Sequence, residues 1–249
     1  MTSWKILETQ PKSAEQNMLA DRNLLQDLET SGQPVLHFYE WDGPSATYGH
    51  FIDPQDHLDM QGVERHQLQL SRRPTGGGII FHVSDFAFSV IVPASYPGYS
   101  INTLENYAFI NQAVAKSVQE FLKGTINPIL LQNENVAEDS SYRNFCMAHP
   151  TKYDVVVDGR KVGGAAQRRT KFGYLHQGSI ALALPAEGFL RDVLLKDKNV
   201  VQAMQQQSYS LLGPGWTSSQ LREGKSFLRD LLKKHLTAQV GVVENSPCS

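Results

Sequence analysis

The sequence predicts an α+β fold in which a mostly antiparallel central sheet is flanked by helices. Segments typical of strands occupy the middle of the chain, and segments with helical periodicity lie at both ends. Several connections between the predicted strands are short and hairpin-like, which favours antiparallel pairing over the long crossovers that parallel strands need. We therefore do not expect a parallel βαβ arrangement.

Length and composition predict one globular domain. Of the 249 residues, 41% are apolar and 19% are charged, which is ordinary for a protein with a sizeable core. No Pro-, Gly- or Ser-rich linker divides the chain, so we expect one domain over residues 1–237 and a flexible tail over 238–249. The formal net charge of -2 argues against nucleic acid as a partner, because phosphate backbones require a concentrated basic surface.

The cysteines and the hydropathy pattern indicate a cytoplasmic protein without metal. Cys248 lies in the predicted tail, so we expect no structural disulfide with Cys146. No segment approaches 18 apolar residues, and the first residues lack the order of a signal peptide, so we expect no membrane association. The eight histidines are scattered and neither cysteine has a ligand-spaced partner, so we expect no metal site.

The first third of the chain predicts a helix followed by two strands. Ser13 lies three residues before a glutamine, in the spacing of a capping box, and the apolar periodicity that follows ends at Gly32. The apolar run 34–39 and the segment 46–49 predict two strands, because strong turn-forming residues separate them.

Three consecutive glycines interrupt the next predicted strands. Apolar and polar residues alternate over 67–73, Gly76–Gly78 follow, and apolar residues resume over 79–81 and 86–92. This pattern predicts consecutive strands around a glycine turn.

The rest of the chain predicts a long helix, a hairpin and three further helices. Apolar residues recur at helical spacing over 102–122. The Asp158-Gly159 pair is the strongest hairpin signal, flanked by strands over 153–157 and 160–162, and a strand over 174–184 follows. The last helices are predicted over 187–195, 200–207 and 218–236.

The glycine turn is the first candidate for a ligand site. Without side chains, Gly76–Gly78 allow a ligand to lie directly against the main chain. A flexible hairpin turn explains the three glycines equally well when they are taken alone. His82 would face the same side of its strand as Ile80 and so lie near such a ligand, although a hydrogen-bonded core histidine is the commoner outcome.

Lys161 is a second candidate. It follows the predicted hairpin and precedes the small residues Gly163-Gly164-Ala165-Ala166, which leave room for a cleft beside its ammonium. A lysine in that place can polarise a carbonyl or balance phosphate charge, whereas most hairpin lysines are merely solvated.

Cys146 is the candidate nucleophile. It lies in a segment of little periodicity, which predicts a loop. Its thiolate would accept an acyl group readily, and His149, Arg143 or Lys161 could lower its pKa. A small buried apolar filler is the plainer interpretation of a free cysteine.

Together and in this order, these segments resemble the lipoate-protein ligase and octanoyltransferase family, which shares its catalytic fold with biotin protein ligases. The resemblance covers roughly residues 1–185. The matching stretches are Arg-Arg-Pro-Thr-Gly-Gly-Gly-Ile-Ile-Phe-His at 72–82, Asp-Val-Val-Val-Asp-Gly-Arg-Lys-Val-Gly-Gly-Ala-Ala-Gln-Arg-Arg at 154–169 and His-Gln-Gly-Ser-Ile at 176–180.

The resemblance implies a pocket for an octanoyl or lipoyl group, with Cys146 and Lys161 as catalytic residues. The glycine turn would line the acyl pocket, Lys161 would contact the acyl carbonyl or acyl phosphate, and the run that begins at His176 would form the facing wall. The residues expected to bind substrate are Arg73, Thr75, Gly76, Gly77, Gly78, His82, Gly164, Ala165, Gln167, His176 and Gly178.

The family has two branches, and the cysteine segment favours the transferases. Residues 146–150, Cys-Met-Ala-His-Pro, are close to the Cys-Phe-x-Ala-Pro of cysteine-dependent octanoyltransferases. Such enzymes take the acyl group from acyl carrier protein and pass it to a lysine of lipoyl domains or of the glycine-cleavage H protein without a cofactor. One alternative is a ligase that uses ATP and Mg²⁺, with Cys146 a bystander, and another is a non-catalytic acyl-binding protein.

Overall fold

The computed structural model describes residues 3–133, 144–195 and 197–239. Its strands are β1 (Lys5–Glu8), β2 (Val35–Phe38), β3 (Ser45–Tyr48), β4 (Gln69–Arg72), β5 (Ile79–His82), β6 (Phe86–Pro93), β7 (Ile129–Leu130), β8 (Val155–Val157), β9 (Arg160–Thr170) and β10 (Gly173–Ile180). Its α-helices are α1 (Ala14–Ser31), α2 (Met60–Arg65), α3 (Thr103–Phe121), α4 (Glu187–Val193), α5 (Asp197–Gln207) and α6 (Ser218–Ala238).

The strands form two sheets, and most pairs are antiparallel, which confirms the predicted fold class. The large sheet has the order β1-β2-β6-β10-β9-β8-β7, in which β1 and β2 are the parallel pair. The small sheet has the order β4-β3-β5, in which β3 and β4 are parallel. The second sheet, and the strand β1 before the first helix, were not predicted.

Because of the small sheet, two connections predicted as tight turns between paired strands do not join paired strands. β2 and β3 are consecutive in sequence but belong to different sheets, so the turn between them is not a hairpin. β4 and β5 also do not pair with each other, because β3 lies between them and pairs with both. The glycine segment therefore crosses the end of β3, and the interpretation as a simple hairpin turn is wrong.

Alternate residues along the large sheet face two different layers. On β6, Phe88 and Val90 pack into the core formed with α3 and α6. Their neighbour Ile91 packs with Leu175 of β10 under α1. This period of two is the ordinary consequence of strand geometry. Helices α3 and α6 thus cover one face of the large sheet, and α1 and the small sheet lie on the other.

Local signals fix several element ends where the sequence predicts them. Ser13 and Gln16 form the expected capping box of α1, and Gly32 ends that helix at φ 55°. Asp158 and Gly159 both have positive φ, as a two-residue hairpin of type I′ requires.

Other boundaries differ from the prediction. β9 extends to Thr170 and not to 162, because each residue from Gly163 onward has a partner on β10. The strand predicted over 174–184 ends at Ile180. Helix α6 continues to Ala238, one residue beyond the predicted domain boundary, and residues 240–249 of the expected tail lie outside the described residues. In the described part of the chain, no helix is long and apolar enough to cross a membrane.

Candidate active site

A cleft of about 340 Å³ lies between the small sheet and strands β9 and β10 of the large sheet. The residues after Cys146 close one side of it, and Ile80 and His82 face it together from β5, as the pleat predicts. Of the residues predicted from the sequence, those that line the cleft are Arg73, Gly77, Gly78, His82, Cys146, Lys161, Gly164, Ala165 and Gly178.

Cys146 lies beside the glycine turn because its segment pairs with β5. The amide of Ile79 donates to the carbonyl of Asn144 over 2.7 Å, and the amide of Cys146 donates to the carbonyl of Ile79 over 3.0 Å. The half-buried thiol lies so close to Gly77 that a Cβ on this glycine would be 3.7 Å from the sulfur. The predicted loop therefore contains a short strand-like bridge that fixes the thiol at the cleft wall.

The three glycines of the turn have different roles. Gly77 has φ 86°, a conformation that side chains disfavour. A Cβ on Gly78 would lie 2.2 Å from the carbonyl oxygen of Asn144, so only glycine permits the cysteine segment to approach. Gly76 has open space around it and neither constraint.

Arg73 holds the turn in shape from inside. Its side chain is buried, and Nη2 donates to the carbonyls of Gly76 and Gly78 over 2.9 and 2.7 Å. Nη1 donates to the backbone and hydroxyl oxygens of Thr47, both over 2.9 Å. Both terminal nitrogens of the guanidinium therefore bind protein oxygens of the turn and of β3.

Lys161 is not a solvated hairpin lysine. Its side chain is buried, and Nζ forms an ion pair with Oδ2 of Asp154 at 2.7 Å. The same carboxylate oxygen accepts hydrogen bonds from the amide and hydroxyl of Thr151. A Cβ on Gly164 would lie 2.3 Å from Cε of Lys161, so this glycine provides the space in which the lysine lies.

The thiol and the ammonium belong to the same part of the cleft. The position of a Cβ on Gly77 is 3.7 Å both from the sulfur of Cys146 and from Cβ of Ala166. The side chain of Lys161 lies against Gly164. Gly164 and Ala166 are two residues apart on the same face of β9, which corresponds to about 7 Å along the strand. The cleft can therefore present a nucleophile and a cation to one substrate group.

His82 is both a cleft residue and a hydrogen-bonded core histidine. Nδ1 lies 2.7 Å from Oδ2 of Asp85, Nε2 lies 2.8 Å from the hydroxyl of Thr47, and the ring stacks on Trp41 at 4.2 Å. Burial raises the pKa of Asp85, but His82 and a hydrogen bond from Ser179 outweigh it and hold that pKa below its usual value.

Thr75 does not line the cleft, and it ties the turn to helix α1. Its hydroxyl donates to Gln177 over 2.7 Å, and the amide of Gln177 donates to Asp21 over 2.6 Å. Ser89 donates to the other carboxylate oxygen of Asp21. All of these side chains are buried, so the network fixes the turn between the two sheets.

The structure does not bring Gln167 and His176 into the cleft. They pair across β9 and β10, and their contact of 2.9 Å between Nε2 and Nδ1 lies on the face covered by the helices. Burial lowers the pKa of His176 to about 3, so its ring is neutral, and it stacks near Phe88 at 6.2 Å. Gly178 lines the cleft with its backbone alone. A side chain at this position would point to the helix-covered face, where a Cβ would lie 2.4 Å from Phe88.

The model of the lipoyl protein ligase A/B catalytic domain matches residues 13–210. The chain belongs to this family. The match extends past residue 185, where the recognisable motifs end, and includes helices α4 and α5.

Curated relatives of this lipoyl ligase A/B domain include two octanoyltransferases named LipM. The protein of Halalkalibacterium halodurans is 33% identical over 184 residues, which are 73% of this chain and 67% of that protein. The protein of Geobacillus kaustophilus is 33% identical over 187 residues, which are 74% and 67% of the two chains.

Solved structures of lipoate-protein ligases share the fold. The bi-partite ligase of Thermoplasma acidophilum has a TM-score of 0.66 and 17% identity, covering 98% of this chain and 96% of that one. A lipoate-protein ligase A with bound ATP has a TM-score of 0.64 and 19% identity, covering 96% and 93%. At these identities the likeness concerns the fold alone.

The sequence interpretation missed several residues that shape the cleft of this lipoyl ligase A/B domain. Asp154 begins the matched stretch 154–169 and adjoins an apolar strand, which marks it as a buried carboxylate that needs a partner. Gln177 lies in the matched stretch 176–180 but was not itself predicted, and nothing local indicates Asp21. Arg143 and Cys248 lie outside the described residues, and the described part of the chain contains no cluster of residues able to hold a metal ion.

Proposed function

We propose that this protein transfers an octanoyl group from acyl carrier protein, through a thioester on Cys146, to a lysine of a lipoyl domain or of the glycine-cleavage H protein. The observation behind this proposal is that the Cys146 thiol and the buried Lys161 line one cleft with the glycine turn. The octanoyltransferase names of the curated relatives support the same reaction. A reducing cytoplasm suits a catalytic thiol.

In the first half-reaction the Cys146 thiolate attacks the thioester carbonyl of the octanoyl carrier. The new carbon–sulfur bond forms as the carrier thiolate leaves and takes up a proton. In the second half-reaction the acceptor lysine amine attacks the acyl-cysteine, loses a proton and releases the Cys146 thiol. Because the donor is already an activated thioester, this sequence needs no ATP.

Lys161 stabilises the oxyanion that develops in both half-reactions. An ammonium has three N–H donors, so the ion pair with Asp154 leaves others for a bound carbonyl oxygen. Burial strengthens such a bond, because few water molecules compete for the charge. The contacts of Asp154 with Thr151 and the space at Gly164 hold the ammonium in position before substrate binds.

The rest of the cleft encloses the acyl chain and shapes the turn. Ile80 and Met147 supply apolar wall, and Ala165 and Ala166 leave the opposite wall without bulk. Arg73 and Thr75 act on the turn and contact no substrate in this account, since their hydrogen bonds go to protein groups. Gln167 and His176 support β9 and β10 from the helix face.

The test is the intact mass of the purified protein after incubation with octanoyl carrier protein in the absence of ATP. We expect one added octanoyl group on the wild type and on Cys248→Ala, which is the matched control for thiol number. Cys146→Ala should gain none. An adduct on Cys146→Ala, or acceptor acylation that depends on ATP and free lipoate, would contradict the proposal and favour a ligase.

A further inference from the structure

A second, much smaller cavity of about 20 Å³ lies behind the cleft. Most of its lining is apolar and comes from the small sheet, the cysteine segment, the residues that follow β10 and helix α5, including Phe81, Phe145, Ala181 and Met204. Ile80, Met147 and Ser179 line both cavities. These three residues, which we term the partition, therefore separate the cleft from the inner cavity.

The partition has a fixed backbone and one adaptable side chain. The carbonyl of Met147 accepts a hydrogen bond of 2.7 Å from Ser208, and Ser179 donates to Asp85 over 2.6 Å. Met147 is buried, and its unbranched side chain adapts easily to the shape of its neighbours.

With Met147 in place, the inner cavity is too small to hold an extension of the alkyl chain. Its volume corresponds to about one water-sized group. It is also not wholly apolar, because Asp85 lines it and its Oδ1 has no hydrogen-bond partner within the described residues.

We propose that Met147, with Ile80, is the stop that limits the length of the acyl chain. The inference rests on the proposed function, because it assumes an acyl group in the cleft. A chain that reaches the partition ends there, and further carbons must displace Met147 or stay outside the cleft. Removal of the Met147 side chain joins the two cavities and lets longer chains bind.

The experiment measures binding of octanoic and dodecanoic acid by calorimetry, and formation of acyl-enzyme from octanoyl and dodecanoyl carrier protein. Met147→Ala should raise the dodecanoyl preference over octanoyl roughly tenfold or more, because pocket length discriminates at about this level. Met147→Leu conserves volume and should keep the wild-type preference. Met204→Ala is the matched control, since Met204 lines only the inner cavity.

An unchanged preference in Met147→Ala, or an equal change in Met204→Ala, would overturn the inference. The two readouts separate it from the proposed function. If no variant forms an acyl-enzyme but Met147→Ala still shifts the ratio of acid affinities, the transferase proposal fails and the length stop stands. If acyl-enzyme forms with the wild-type preference in Met147→Ala, the length stop fails and the transferase stands.

Discussion

Two polar pairs of the large sheet, one between the start of β8 and β9 and one between β9 and β10, have opposite characters. Lys161 and Asp154 form an ion pair that faces the cleft, whereas Gln167 and His176 form an uncharged contact beneath the helices. Both pairs come from stretches that match one family pattern. A motif therefore indicates which residues matter, while strand register decides which of them meet the substrate.

Of the two pairs, the ion pair should have the larger effect on activity. Lys161→Met removes the proposed oxyanion donor, so we expect transfer to fall about 10²–10³-fold. It also leaves the buried Asp154 carboxylate without its cation, which should lower the free energy of unfolding by about 3–5 kcal/mol. Steady-state kinetics and denaturant unfolding measure the two effects.

The double variant Lys161→Met/Asp154→Asn separates chemistry from stability. Without an unpaired charge it should regain most of the lost stability while transfer stays as low as in the single variant. Recovery of activity together with stability would show that the ion pair has only a structural role.

The glycine turn offers a comparison between neighbours. Gly78→Ala places a Cβ 2.2 Å from the Asn144 carbonyl, so the cysteine segment must move. We expect unfolding to become easier by about 1–3 kcal/mol, with slower acyl-enzyme formation. Gly76→Ala meets open space and should change stability by less than about 0.5 kcal/mol. Equal effects of the two substitutions would contradict the geometry of the turn.

His176 should affect stability against pH and leave activity nearly unchanged. Burial depresses its pKa from 6.5 to about 3, so the unfolded chain binds this proton at a higher pH than the folded protein. Its stabilising contribution is therefore complete above pH 6.5 and is lost as the pH falls toward 3. Between pH 6.5 and 5 this loss amounts to about 2 kcal/mol.

Denaturant unfolding of His176→Gln at several pH values checks this expectation. The variant should lack that part of the pH dependence, and its transfer activity at pH 7 should stay close to wild type. A large loss of transfer in a stable His176→Gln protein would place the histidine in the active site.

Much of the fold follows from local signals. The capping box at Ser13, the turn at Asp158-Gly159 and the periodicity of α3 depend on residues within a few positions of each other, so the sequence alone predicts them well. The small sheet was not predictable in this way, because β3 pairs with β4 and β5 only after the chain folds back on both sides of it.

The same distinction between local and long-range information applies to the candidate site. Cys146, Lys161 and the glycine turn each have an ordinary structural interpretation when taken alone. Their order along the chain, which resembles one family, marks them together as a site. The faces of Gln167 and His176, and the contact of Asp21 with Gln177, depend on register across strands distant in sequence. No local pattern contains that information.

The location of the acyl group on the enzyme tests the role of Cys146 most directly. After incubation with octanoyl carrier protein without ATP, the protein is digested under conditions that preserve thioesters, and the peptides are mapped by mass spectrometry. We expect the octanoyl group on the peptide that contains Cys146, and its loss when a lipoyl domain is added. An octanoyl group on any other residue, or one that remains when the acceptor is added, would contradict it.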